Sequence, residues 1–493
     1  MAPGAEHEAK GSGHLDLRNF EACVEDVKRA ALESEEGPKD PASFEDLRSR
    51  LEQARAKFPP LYREHVVEPY ILKIDELGPG GFQQVLLRDP SRQREACLMF
   101  DIAQAILQHA DGYRQKASAA FQEVVSDLYD GFLSVQDRKS LRMPTKTVVP
   151  PLVKWGSPDS GPYTWTCSAT KVFNVRASIV NMPPAHARMG LLAWTGLAHE
   201  TAGHDVMAAN DGLVEELSTK VRERLAKDLN EKGGFEQTTI DRFVGYWSNR
   251  VEESASDVLG ILNMGPVAAL GIVGYLQAMN QAWGSGSTLR YGRTAYLYDP
   301  HPMDLMRGYL VVAAVRSLKH LENAGDWALA IENQMSRDEK NAQSSGGPAL
   351  RHTSLAKESA LIVADVIMNG PLLALSGHCL SDIQTWGTHD SSVSDELMRH
   401  FSMLGSVREV YTYGYYAAHV VASAVHKALC SEPGEITLIF TRMIGILRQM
   451  HECNPSWGPL YVEHPSDLMR MRMYIPSPEG KHFHSGEPQA KKE

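Results

Sequence analysis

The chain has 493 residues, a formal net charge of -11, and 43% hydrophobic and 23% charged residues. That is the composition of an ordinary globular protein, long enough for about three domains of roughly 150 residues each. The acidic balance argues against a nucleic-acid partner, because no basic tract is present to neutralise phosphates.

Residues 1–14 are rich in Gly, Ala and charge and are expected to be a disordered tail. From 15 to 143 the pattern is helical: FEDLRSRLEQARAKF and REACLMFDIAQAILQHA place apolar residues at three- and four-residue intervals. Composition shifts near 144, and 144–335 is read as a metal-binding catalytic region. Within it VFNVRASIV (172–180) alternates like a strand, and Pro183-Pro184 ends it. A single helix is expected from Ala185 through MGLLAWTGLAHETAGHDVMAA, and another over RFVGYWSNRVEESASDVLGILNM, stopping before Gly265-Pro266. Residues 336–353 read as a linker or long loop, 354–484 as a C-terminal helical region, and 485–493 as a second disordered tail. The heptads HPMDLMR (301–307) and HPSDLMR (464–470) both read as helix starts, with Pro at the first helical position and Asp in the first turn. The expected fold is mainly α with a small β element.

Cys23, Cys97, Cys167, Cys379, Cys430 and Cys453 are scattered with no CxxC pair, which suits reduced thiols. The N-terminus has no apolar signal core, and no uninterrupted apolar run reaches ~18 residues. A cytoplasmic address with no membrane partner is expected.

The chemistry concentrates in His199-Glu200-Thr201-Ala202-Gly203-His204. Histidines four apart on a helix face one metal; five apart they diverge by ~140°. Both reach one ion only if the helix widens locally into a π-type turn, and Gly203 has the backbone freedom to allow it. A third ligand is expected from Val251-Glu252-Glu253-Ser254-Ala255-Ser256-Asp257, where Glu253 and Asp257 share a helix face. Glu253 then binds the ion, and Asp257 accepts the N–H of a ligand histidine and fixes its tautomer. Glu252 is adjacent, and a one-residue shift exchanges it with Glu253. His, His and Glu form a catalytic zinc set, with Glu200 as the general base that takes a proton from the zinc-bound water.

HETAGH (199–204) and EESASD (252–257) resemble the HExxGH and EExxxD segments of the dipeptidyl-peptidase III family of zinc metallopeptidases, in the same order and at a similar distance. The resemblance covers residues 199–257, with Ser256 where an Ala is usual. It implies a zincin-like metallopeptidase core flanked by helical regions. It also implies Zn2+ on His199, His204 and Glu253, with Glu200 as catalytic carboxylate. Cleavage of a peptide or small amide substrate is the expected activity.

Two accessories follow from that chemistry. An edge strand just upstream of the metal helix would hold an extended peptide, which nominates 172–180 with Asn174, Arg176 and Asn181. An oxyanion stabiliser is also required, and Tyr298 and His301 are the chosen candidates, with Tyr291 and Arg293 beside them. Two other readings use the same residues. One is a helical iron or manganese oxygenase built on Glu200, His204, Glu253 and Asp257; the other is a metal-binding protein without turnover.

Overall fold

The computed structural model describes residues 15–35, 37–86, 93–133, 149–158, 160–208, 210–284, 289–290, 299–344, 353–402, 416–453 and 457. Over these the chain is mainly helical, with one three-stranded sheet. Five helices come first: α1 (Phe20–Leu32), α2 (Phe44–Arg55), α3 (Glu68–Leu86), α4 (Gln93–Asp111) and α5 (Gln115–Leu133). The strands are β1 (Val149–Trp155), β2 (Tyr163–Trp165) and β3 (Ala177–Met182).

β3 lies in the middle, parallel to β1 and antiparallel to β2. Pro150 and Pro151 have no N–H to give the ladder, and the β1–β3 register shifts between Val149 and Leu152. Side chains alternate across the sheet and divide the interior in two. Val153, Trp155, Val180 and Met182 enter the larger hydrophobic cluster, built mostly from the helices that follow the sheet together with α1 and α5. Leu152, Ala177 and Ile179 face the smaller one, formed with α2, α3 and α4.

The sequence places the central strand too early. Lys171–Phe173 form a 3-10 turn closed by Asn174 in the left-handed region (φ 59), so pairing starts at Ala177. Being central, β3 has no free edge for a substrate strand; among the described residues the edge strand that packs near 198–205 is β2.

The expected helix from Ala185 is also broken. Two 3-10 turns, Pro184–Ala187 and Leu191–Thr195, flank Gly190, whose φ of 77 and whose missing Cβ, which would sit 2.3 Å from His186 Nδ1, both require glycine. A π-helix then runs over Ala198–Asp205. After it come α6 (Leu213–Lys232), α7 (Gln237–Ser248), α8 (Val251–Met264), α9 (Pro266–Trp283), α10 (Asp304–Arg316) and α11 (Ala324–Ser344). The remaining long helices are α12 (Thr353–Asn369), α13 (Thr388–Ser402), α14 (Ala417–Leu429) and α15 (Ile436–Glu452). The single helix expected over 242–264 is two, because the chain turns at Asn249 and Arg250 between α7 and α8.

The segment 336–353 is not all linker, since α11 continues through Ser344. Ile331, Met335 and Asp338 are buried at i, i+4 and i+7, and the Asp338 carboxylate accepts from Gln277 Nε2 at 2.9 Å. One buried position is thus an aspartate, which disguises the helical period. One stretch, Thr353–Leu375, is long and apolar enough to cross a membrane by length and composition; half of its most apolar window is buried inside the protein.

α8 is buried on almost every side, with only Glu252 exposed. A helix so placed is ordinarily apolar all round. This one buries Glu253, Ser254, Ser256 and Asp257, and buried polar groups are costly unless partners meet them.

Candidate metal centre

Those partners come from the π-helix, which packs along α8. In a π-helix the backbone hydrogen bonds run from i to i+5, so residues five apart come to the same side. His199 and His204 accordingly face each other, with ring centroids 4.8 Å apart and their Nε2 atoms 3.2 Å apart. Gly203 has a different purpose from the one its flexibility suggests. Its φ is not positive, but a Cβ there would lie 2.5 Å from Ser256 Cβ and 2.6 Å from Ser256 Cα. The glycine lets α8 approach until Glu253 reaches both imidazoles. Ser256 donates its hydroxyl to the Glu252 carbonyl at 2.9 Å.

Glu253 Oε2 lies 3.4 Å from His199 Nε2, and Oε1 lies 3.5 Å from His204 Nε2. With bonds of about 2.0–2.2 Å, neighbouring ligands of a tetrahedral ion are about 3.3–3.6 Å apart, and the Glu253 carboxylate, with one oxygen toward each imidazole, brackets the paired Nε2 atoms at comparable spacings. Glu253 Oε2 is also buried without a hydrogen-bond partner, an orphan that a cation would satisfy. One ligand atom from each of His199, His204 and Glu253 falls within a 4.8 Å group, the one such group among the described residues. The donor set fits a single metal ion. Glu252, the neighbour that might have exchanged with Glu253, is half exposed and meets His204 on its other nitrogen, Nδ1, at 3.3 Å.

Asp257 is fully buried and supports the first ligand: Oδ1 is 2.8 Å from His199 Nδ1. Its two oxygens also accept from Arg307, Oδ2 from Nε at 2.8 Å and Oδ1 from Nη2 at 2.6 Å. Bound on both oxygens, Asp257 is turned away from the ligand group, so the four-residue set of the oxygenase reading is not assembled here.

Charges lock the cluster. Burial alone would push the His199 imidazole down, but the hydrogen bonds and charges of Asp257 and Glu253 carry it up to about 10. Burial raises the Glu253 carboxyl, yet His199, His204 and His301 hold it well below the usual carboxylate range. Asp257 is likewise held low, chiefly by Arg307 and then by His199, and Arg307 is raised by Asp257 against its own desolvation. Ligand histidines must be neutral, so a metal entering here releases a proton.

Glu200 follows His199 on the π-helix and is buried. Thr164 of β2 donates its hydroxyl to Glu200 Oε2 at 2.8 Å. On the opposite face of β2, Tyr163 OH (2.7 Å) and Trp165 Nε1 (2.6 Å) both donate to Asp101, which also pairs with Lys154 at 2.5 Å. Asp101 thereby pins the short strand that carries Thr164.

His301 is brought to the centre: Nε2 is 3.5 Å from Glu253 Oε1, Nδ1 is 2.8 Å from Asp299, and the side chain is half exposed. Tyr298, Tyr291, Arg293 and the second heptad at 464–470 lie outside the described residues. Asn181 is buried in the sheet, and Arg176 N–H donates to the His65 carbonyl, so neither Asn174, Arg176 nor Asn181 forms an open substrate edge.

Three residues escaped the sequence reading: Arg307, Thr164 and Tyr275. The Tyr275 ring on α9 is half-buried and its hydroxyl lies 3.2 Å from where a Cβ on Gly161 would be, just ahead of β2. Burial and the nearby Glu200 charge raise its phenol, while Arg307 opposes them. Arg307 alone had a signal, as the last residue of a heptad that occurs twice. No family model, curated protein or solved structure matches the chain.

Proposed function

We propose that the chain is a zinc-dependent hydrolase that cleaves peptide bonds, a metallopeptidase resembling the dipeptidyl-peptidase III type at its metal helix. The observation that carries this reading is the convergence of His199, His204 and Glu253 with Glu200 beside them on one π-helix. Two imidazoles and one carboxylate are a catalytic zinc set, because three protein ligands leave a position open. When bound, zinc supplies a Lewis acid that polarises a carbonyl and lowers the pKa of water to about 7.

The chain's own groups do the rest. Glu200, with one oxygen held by Thr164, takes the proton of the attacking water and passes it to the leaving amine. His301, anchored by Asp299 and half exposed, donates to the carbonyl oxygen as charge develops there. The outer side of β2 is the place for an extended substrate, because β2 is an edge strand among the described residues.

The test is elemental analysis of protein purified without added metal, beside His204→Ala and Glu200→Gln. One zinc per chain, absent from His204→Ala and retained by Glu200→Gln, is expected. Against a peptide library Glu200→Gln should lose about 10²–10⁴-fold in turnover. Metal retention with equal turnover in Glu200→Gln would remove the base from the mechanism. No metal in any form would remove the reading altogether.

A further inference from the structure

We propose that Arg307 is a positioning residue for the metal centre, acting on the ion through Asp257 and His199. The inference rests on the metal reading of the three-ligand group and adds a member that touches no metal.

Arg307 approaches from α10, an element independent of both ligand helices. Its side chain is only 11% exposed and meets the fully buried Asp257 through two parallel donors, Nε and Nη2. A bidentate fork fixes a carboxylate in a plane as well as in place, which a point charge does not do. With the plane fixed, Oδ1 is aimed at His199 Nδ1, which sets that nitrogen as the N–H and leaves the Nε2 lone pair facing Glu253 and His204.

The start of α10 is itself held firmly. Asp304 accepts from Arg290 Nε at 2.9 Å and from Asn280 Nδ2 at 2.7 Å. The Met303 N–H donates to Tyr246 OH at 2.7 Å, and Arg250 Nε donates to the His301 carbonyl at 3.2 Å. Arg307 therefore sits on a fixed element, as a group that orients another must. Six residues before it, ahead of the helix start, His301 reaches Glu253, so the heptad 301–307 touches the centre at both ends.

Arg307 has two effects of opposite sign on a bound cation. Its positive charge cancels that of Asp257 and repels the ion. Its fork keeps Asp257 from rotating off His199. A buried carboxylate without a partner is costly enough to move or to take a proton, so the orienting effect is the larger. Loss of Arg307 should therefore weaken metal binding.

Zinc affinity of the full-length chain, measured by competition with a chromophoric chelator, decides the sign. Arg307→Met is expected to bind zinc about 10–100-fold more weakly, as removal of outer partners of metal ligands usually does. Asp257→Ala should fall by a similar factor, and the double variant should be no weaker than Asp257→Ala alone. Unchanged or tighter binding in Arg307→Met overturns the proposal, because the charge effect would then dominate. Additive losses in the double variant also overturn it, because Arg307 would then act without Asp257. Arg307→Lys keeps the charge and loses the fork, and it serves if Arg307→Met does not fold. It should bind about tenfold more weakly with an unshifted metal-free melting temperature, and wild-type affinity there overturns the inference. A wild-type chain that takes up no zinc ends the metal reading itself, whereas equal affinities across binding-competent variants end only the role of Arg307.

Discussion

His199 is buried and His109 largely so, each near a second histidine and a glutamate, and their surroundings drive them in opposite directions. His109 lies on α4 in a box of aromatic rings: Trp457 at 4.9 Å between centroids, Phe58 at 6.0 Å, with His451 in turn 5.7 Å from Trp457. Glu123 Oε2 lies 3.4 Å from His451 Nδ1 without a hydrogen bond between them, and His109 Nε2 has no hydrogen-bond partner either. Burial, with His451 adding to it, pushes His109 down to about 3. At His199 two carboxylates overcome the same burial and carry the imidazole up to about 10. Two histidines and a glutamate are thus not a site by composition. They become one when the lone pairs converge, as those of His199, His204 and Glu253 do within 4.8 Å. An aromatic box with its donors divided is packing.

The largest expected effect tests the aromatic side of this contrast. Desolvation pushes His109 and His186 down, to about 3 and about 4. Their folded values lie below the unfolded ~6.5, so the unfolded chain binds more protons across this window. Each histidine's contribution is present above about pH 6.5 and is lost as pH falls, on the order of 3 kcal/mol per imidazole by pH 4. Urea unfolding of the chain should show that decline. His109→Asn, which keeps an N–H for the Val153 carbonyl, should remove roughly half of it; an unaltered slope would mean that His109 is not the neutral member of the comparison.

The next effect tests the metal side. Gly203→Ala pushes a methyl into Ser256, where both side chain and backbone resist it. Overpacking of this kind costs about 1–3 kcal/mol, and here it also separates the π-helix from α8. Thermal melting should fall and zinc affinity with it. Ser256→Gly in the same chain should restore part of both, since Ser256 Cβ is the closest atom but its Cα remains 2.6 Å away. A Gly203→Ala chain that melts and binds like wild type would show that the helices have room to spare.

The grouping of His199, His204 and Glu253 was legible because they fall on two short motifs, and the five-residue spacing itself required the π-turn that is found. The mainly helical class with a small sheet was legible from periodicity. What failed was local continuity. The left-handed Asn174 and Gly190 interrupt segments whose apolar pattern runs on through them, and a buried aspartate, Asp338, hides the end of α11. Gly203 was identified correctly but for another reason, since a glycine's freedom is visible in sequence and a neighbouring helix's approach is not. Arg307, Thr164 and Tyr275 reach the centre from three other elements, and no spacing along the chain encodes that. Asp257 lies 50 residues from Arg307, and Thr164 lies 36 from Glu200.

Thr164 gives the smallest and most selective test. In the candidate centre His199 and His204 each meet a carboxylate at Nδ1, and Glu200 is held by one hydroxyl from a three-residue strand. Thr164→Val keeps the shape of the side chain and removes the donor. A hydrogen bond to a charged group is worth about 1.5–3 kcal/mol, and part of that is recovered by solvent at a half-buried position. Turnover on the best library peptide should therefore fall about tenfold, with zinc content unchanged and with Thr164→Ser restoring most of the rate. Asp101→Asn weakens the anchor on the other face of β2 and should produce a smaller loss of the same kind, because Thr164 itself is intact. Wild-type turnover in Thr164→Val would mean that the π-helix alone aims Glu200, and that the sheet serves the centre only by binding substrate. A loss shared by Thr164→Ser would point to the strand's packing instead of its hydroxyl, and the base would then be placed as His109 is placed, by what surrounds it.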